Sequence, residues 1–131
     1  DNTRSRGLGD VYKRQGYAGH AHDPGWFTTA PIPATNKLLE SLNWSADEVD
    51  LWEVNEAFAV VPMAFMKELK IPREKINVNG GACSLGHPIG ASGARILVSL
   101  INSLSLRGLK KGVAAICIGG GEALAIAIEV D

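Results

Sequence analysis

The 131 residues of the chain fit one domain, long enough to bury a sizeable core. Hydrophobic residues make up 46% and charged residues 21%, the balance of a globular chain rather than a disordered one. A formal net charge of −1 with no dense basic block gives nucleic acids and anionic membranes no electrostatic hold. Cys83 and Cys117 form no CxxC pair, no cleavable signal pattern opens the chain, and no run reaches the roughly 18 apolar residues of a membrane span. A soluble cytoplasmic protein without nucleic-acid or membrane partners is the simplest expectation.

Residues 1–15 differ from the rest: four Lys/Arg, two Asp, isolated apolar residues and no helix or strand period. Residues 5–15 resemble a translated adapter or vector sequence, so 1–15 is expected to be a non-native tail and 16–131 the domain. The alternative is a natural basic arm. If the tail is foreign, the authentic chain is truncated ahead of Gly16.

In chain order, residues 17–21 suit a short strand closed by the turn signal Asp23-Pro24-Gly25. Pro31 and Pro33 precede an amphipathic helix over 34–42, and Ser45 with Asp47 and Glu48 signals a short capped turn. Residues 49–54 form a strand; 56–70 form a helix with Phe58, Val61, Phe65 and Leu69 spaced by three and four. Pro62 falls in that helix's first turns, where proline costs least. A short strand over 76–79 opens into a glycine-rich loop, and a second long helix runs from Pro88 to about Leu106, closed by Gly108. Its first turns hold Gly90, Ala91, Ser92, Gly93 and Ala94, so this end is expected to be buried against another backbone. Strands over 113–118 and 123–130 flank Gly119-Gly120-Gly121, the last with Leu124, Ile126, Ile128 and Val130 on one face and three alanines on the other. The alternation predicts an α/β domain.

Three loops carry chemistry. Asn55 stands between a strand and a helix, as an N-cap or as an amide that holds a water or substrate. His87 precedes Pro88, a good first helical residue, which puts His87 at the N-cap. There it is either a capping histidine or one kept neutral by the helix dipole, able to accept a proton. Cys117 adjoins three glycines whose N–H groups suit an oxyanion hole; the alternatives are an inert core cysteine and a plain hairpin turn. The glycines match no dinucleotide fingerprint or P-loop. His20 and His22 share a strand face, but with no third ligand nearby no metal site is expected. Cys83 sits in a glycine-rich loop as a weaker nucleophile candidate.

In order, the three loops resemble the thiolase family. Asn55-Glu56-Ala57-Phe58 looks like its Asn-Glu-Ala-Phe motif. Asn77-Val78-Asn79-Gly80-Gly81 with Gly86-His87-Pro88-Ile89-Gly90-Ala91-Ser92-Gly93-Ala94-Arg95 looks like its histidine motif. Cys117-Ile118-Gly119-Gly120-Gly121 looks like its terminal cysteine motif, and Pro31-Ile32-Pro33-Ala34 also matches. Ketoacyl synthases share the fold but lack the Cys-x-Gly-Gly-Gly ending.

The resemblance implies a C-terminal domain of the thiolase-like fold, a mixed sheet covered by helices, and cleavage of 3-ketoacyl-CoA or the reverse Claisen condensation. It implies that His87 activates a nucleophilic cysteine, and that Cys117 exchanges the α-proton of a second acyl-CoA. His87 and a water held by Asn55 would stabilise the enolate, the Gly119 N–H would serve a second oxyanion hole, and Ala57 and Phe58 would line the substrate channel. Coenzyme A and its thioesters are the implied partners, with no tightly bound cofactor and no metal, in a homodimer or homotetramer that takes part in fatty acid metabolism. The family's nucleophile lies in its N-terminal half and has no candidate here, so this polypeptide is expected to be inactive alone. A non-catalytic scaffold and a nucleotide-binding module are the competing classes.

Overall fold

The computed structural model describes residues 12–131. Four strands, β1 (Lys13–Ala21), β2 (Leu51–Val54), β3 (Lys111–Cys117) and β4 (Glu122–Glu129), form one mixed sheet in the order β1-β4-β3-β2. β4 pairs antiparallel with both β1 and β3, while β2 pairs parallel with β3. The helices are α1 (Pro31–Leu42), α2 (Val60–Leu69), the single-turn α3 (Ala82–Leu85) and α4 (Ile89–Arg107). This is the mixed α/β architecture that the alternation predicts.

Alternation along the strands sends side chains into two cores. Trp52, Val54, Val113, Ala115, Cys117 and the three β4 alanines face α1 and α2, which bring Ala34, Leu38, Leu39, Val61 and Phe65. Leu51, Ala114, Ile128 and Val130 face the other way, onto Ile96, Leu100 and Leu104 of α4. Small residues on one face of β4 and branched ones on the other therefore decide which helices approach on which side. Gly112 lets α4 settle on β3, since a Cβ there would lie 2.8 Å from Leu104 and 2.9 Å from Leu100. By length and composition α4 is the one helix among the described residues that could cross a membrane. It is amphipathic, however, with Ile96, Leu100 and Leu104 on the sheet and Arg95 in an ion pair.

Local signals place most elements well. Ser45 and Glu48 form a capping box around a 3₁₀ turn (Ala46–Glu48), and Gly108 ends α4 in the left-handed region at φ 64°. Three expectations are corrected. β1 begins at Lys13 rather than 17, because β4 offers a full edge and ladder hydrogen bonds do not depend on side-chain identity. Lys13 and Arg14, on the tail side of the expected 15/16 boundary, pair with Glu129 and Ile128, with a bulge before Gly16; residues 1–11 lie outside the described part. The helix expected from Glu56 begins only at Val60. The small-residue end of α4 is exposed at Gly90, Ala91, Gly93 and Ala94; among the described residues no second layer reaches it. Tyr17, Leu124, Ile89 and Val98 are exposed as well, and a shallow apolar cavity of about 340 Å³ opens between α4 and the sheet. A contiguous apolar area of this kind marks an interaction surface.

Beneath α4, Glu53 is 1% exposed, and neither carboxylate oxygen accepts a hydrogen bond. Arg95 approaches only to 3.8 Å. Burial raises the Glu53 pKa from 4.5 to about 7; Arg95 opposes the shift and Glu56 adds to it. Between these values the folded state holds a proton that the unfolded chain releases, so the contribution of Glu53 to stability falls as pH rises from 4.5 to about 7. Glu53→Gln should flatten that fall and stabilise the chain above neutrality by an amount on the order of 3 kcal/mol. Denaturant titrations across this range check it; an unchanged pH slope in the variant contradicts the assignment.

Candidate active site

The site forms where the C-terminal ends of β2 and β3 lie side by side. The Asn55 N–H donates to the Ala115 carbonyl at 2.9 Å, carrying the β2–β3 ladder one residue past β2. Asn55 is therefore the last sheet-paired residue and not the N-cap of α2, a position taken by Ala59 after an intervening turn. Its side chain is fully buried, with Nδ2 3.5 Å from His87 Nε2 and with Oδ1 accepting nothing from the protein. A buried amide oxygen without a protein partner calls for a functional explanation.

His87 arrives from the opposite side, just before α4. Pro88 is extended at ψ 99° and is itself the N-cap, so His87 lies one residue outside the expected N-cap position. Its Nδ1 is 2.5 Å from Oγ of Ser92, a buried residue of the first turn. Cys117 ends β3, and the hairpin beyond it closes with Gly121 N–H to the Ile118 carbonyl and Ile118 N–H to the Glu122 carbonyl. The Gly119 N–H takes no part in those turn bonds. Of the three glycines only Gly121 has positive φ, 94°, and a Cβ there would lie 2.2 Å from the His22 carbonyl. The glycine requirement is thus strongest at Gly121, in conformation and in space, while a Cβ at Gly120 would meet only the Glu122 carboxylate, at 2.6 Å.

His87, Cys117, Gly119, Ala57 and Phe58 line one cavity of about 360 Å³, walled also by Phe27, Ile89, Ile116 and Ile118. Asn55 lies behind it, reaching the imidazole. Asn55, Ala57, Phe58, His87, Cys117 and Gly119 are thus gathered at one cavity or directly behind it. Phe27 was not foreseen; it comes from the 3₁₀ turn after β1 and meets Phe58 edge-on at 6.2 Å. Ser92 was visible only as one of a run of small residues.

The loops are held by groups whose role only the fold reveals. Asn77 adopts φ 47°, accepts from the Val54 N–H at 2.8 Å and donates to the Val54 carbonyl at 2.8 Å, acting as a strand residue against β2. Glu56 accepts from Asn77 Nδ2 at 3.0 Å and from the Cys83 N–H at 3.1 Å, tying the Asn55 loop to the loop that leads to His87. Gly81 is required there, because a Cβ would come within 2.3 Å of that carboxylate. Cys83 is exposed and lines a different cavity, with Glu56 and Met63. His20 and His22 do share a face, but their rings bond each other at 3.3 Å, and Lys37 Nζ lies 2.9 Å from His20 Nδ1. Among the described residues no group of three His, Cys, Asp or Glu could hold a metal.

A cysteine, a histidine and a buried amide gathered at the sheet's C-terminal edge are the equipment of an α/β enzyme domain. The model of the thiolase C-terminal domain matches residues 10–130, and the chain belongs to the thiolase family. It is 46% identical to an acetyl-CoA acetyltransferase of Allochromatium vinosum over 97% of the chain and 32% of that protein. It is 49% identical to acetyl-CoA acetyltransferase 2 of Arabidopsis thaliana, over 95% of the chain and 31% of that protein. The crystal structure of the Bacillus anthracis acetyl-CoA acetyltransferase superposes with a TM-score of 0.93 at 47% identity, covering 99% of this chain and 33% of that one. A thiolase from Ascaris suum in complex with coenzyme A gives 0.90 at 45% identity, covering 98% and 33%. The chain thus spans about a third of the length of the relatives it matches.

Burial pushes the Cys117 thiol above its ordinary pKa, a backbone hydrogen bond opposing in part. In this chain Cys117 is therefore a protonated thiol at neutral pH, slow to react with alkylating agents. Iodoacetamide at about pH 7.5 should label the exposed Cys83 at least ~10-fold faster than Cys117. Peptide mapping by mass spectrometry reads the ratio; preferential labelling of Cys117 would show a stabilised thiolate instead.

Proposed function

We propose that this domain supplies the second half of a thiolase reaction centre, for thiolytic cleavage of 3-ketoacyl-CoA or its reverse, the Claisen condensation of two acyl-CoA units. The observation that carries the reading is the meeting of His87, Cys117 and the Gly119 backbone in one cavity with Asn55 beneath. The nucleophilic cysteine comes from the rest of a thiolase, so the polypeptide by itself does not turn over. It acts in an assembly, a homodimer or homotetramer, as a cytoplasmic enzyme of fatty acid metabolism.

In this scheme His87 Nε2 takes the proton of the attacking cysteine, and a covalent acyl-enzyme forms. Cys117, a neutral thiol at rest, must lose its proton before it can abstract one from the α-carbon of the second acyl group. The negative charge of the enolate falls on donors at His87 and on a water held by Asn55 Oδ1, which has no partner in the protein. The N–H of Gly119, a residue lining the same cavity, stabilises the oxyanion of the acyl-transfer step. Ala57, Phe58 and Phe27 form an apolar wall suited to an acyl chain and a pantetheine arm. Coenzyme A binds as a substrate carrier, not as a resident cofactor. The Ascaris suum relative seen with coenzyme A supports this substrate class.

A chimera tests the scheme: this chain in place of the matching third of the Bacillus anthracis acetyl-CoA acetyltransferase. In it, Cys117→Ala should retain exchange of acyl groups between thiols while condensation falls roughly a hundredfold or more. Condensation at the parental rate in that variant would remove Cys117 as the α-proton base, and loss of exchange as well would place it in the first half-reaction.

A further inference from the structure

We propose that Ser92 is a positioning residue that holds His87 as the Nδ1–H tautomer and leaves Nε2 bare toward Asn55. The inference deepens the reading of His87 as a proton acceptor and rests on it for its functional meaning. The tautomer itself rests on the contacts of Ser92 with His87 and Pro88.

Ser92 Oγ has two short contacts, 2.5 Å to His87 Nδ1 and 3.1 Å to the Pro88 carbonyl oxygen. The 2.5 Å contact is too close for two facing lone pairs and needs a proton between its atoms, and the 3.1 Å contact is a hydrogen bond that only the hydroxyl can donate. The Pro88 carbonyl has none to give, and a hydroxyl has one. The Ser92 proton therefore goes to Pro88, a serine bonding back to the carbonyl four residues earlier. The proton between Ser92 and His87 must then belong to Nδ1. On the far side of the ring, Nε2 faces the Asn55 Nδ2 donor at 3.5 Å, the polarity this tautomer requires. Donation thus runs in one direction, from Asn55 to His87 to Ser92 to Pro88.

The arrangement suits a general base. Free histidine prefers its proton on Nε2, where it would block proton uptake from the cavity side. Ser92 inverts that preference. When a thiol S–H gives its proton to Nε2, the electron pair stays on sulfur and the ring becomes imidazolium. Its Nδ1–H keeps the same acceptor, so Ser92 does not have to turn, and only the long Asn55 donation to Nε2 is given up. The new Nε2–H can then donate to a developing oxyanion. Ser92 is fully buried and held in the first turn of α4, so the hydroxyl is fixed where Nδ1 arrives.

The test is a long-range ¹H–¹⁵N correlation spectrum of the full chain with labelled histidine, the His87 signals assigned by removing His20 and His22. At a pH where the ring is neutral, Nε2 should resonate as a bare, pyridine-type nitrogen and Nδ1 as a protonated, pyrrole-type one. Ser92→Ala should exchange the two patterns, and Ser92→Thr, which keeps the hydroxyl, should restore the original. A wild-type ring protonated on Nε2, or a Ser92→Ala ring that keeps Nδ1–H, overturns the proposal. In the chimera, Ser92→Ala should slow acylation at saturating substrate about tenfold or more, with KM little changed. Exchanged tautomers with undiminished acylation would uphold the assignment and remove His87 as proton acceptor, so the two ideas fail separately.

Discussion

The parallel pairing of β2 with β3 is the constraint on which the site depends. Four registered pairs, from Leu51 with Gly112 to Val54 with Ala115, bring the ends of two distant segments to one edge. Asn55 prolongs the ladder and loses all freedom to move away from Cys117's strand. A parallel pair needs a long crossover. Here the crossover contains α2, α3 and α4, and so it also carries His87. Because α4 must return over the sheet to start β3, its first turn is led past the strand ends where Asn55 and Cys117 already stand.

Short-range groups then remove the remaining slack. Asn77 takes the place of a strand residue beside Val54, and Glu56 clamps the loop beyond it. The Asn-Glu pair at 55 and 56 thereby divides its work: the amide reaches the imidazole, and the carboxylate holds the chain that delivers the imidazole. Buried polar groups are costly unless partnered. Those of Asn77 are fully used, whereas Asn55 Oδ1 and Glu53 are left without hydrogen bonds near the cavity and under α4. The contrast separates polar groups that build the scaffold from those it leaves unsatisfied.

The second face of the sheet adds a further layer of meaning. α4 covers Leu51, Ala114 and Ile128, but Tyr17, Leu124 and its own small-residue end stay open. Small residues in a first turn permit close backbone approach, and they do so whether or not a partner is present. Membership of a family whose matched relatives are about three times as long fits a face shaped for more protein.

Most of the architecture was legible in the residues themselves. The three-and-four spacing of α2, the run from Pro88 to Gly108, the alanine and branched faces of β4 and the capping box at Ser45 are local signals, set by backbone periodicity and capping chemistry. The order of the three motifs was enough to identify the family and to single out Asn55, His87 and Cys117. Tertiary structure decided what sequence neighbours do not control. It moved Asn55 and His87 off their expected caps, extended β1 to Lys13, left the start of α4 exposed and set Ser92 against His87. These outcomes depend on which edges pair, where a crossover returns and what lies opposite each side chain. Such contacts join residues far apart in the chain, and no periodicity within one segment encodes them.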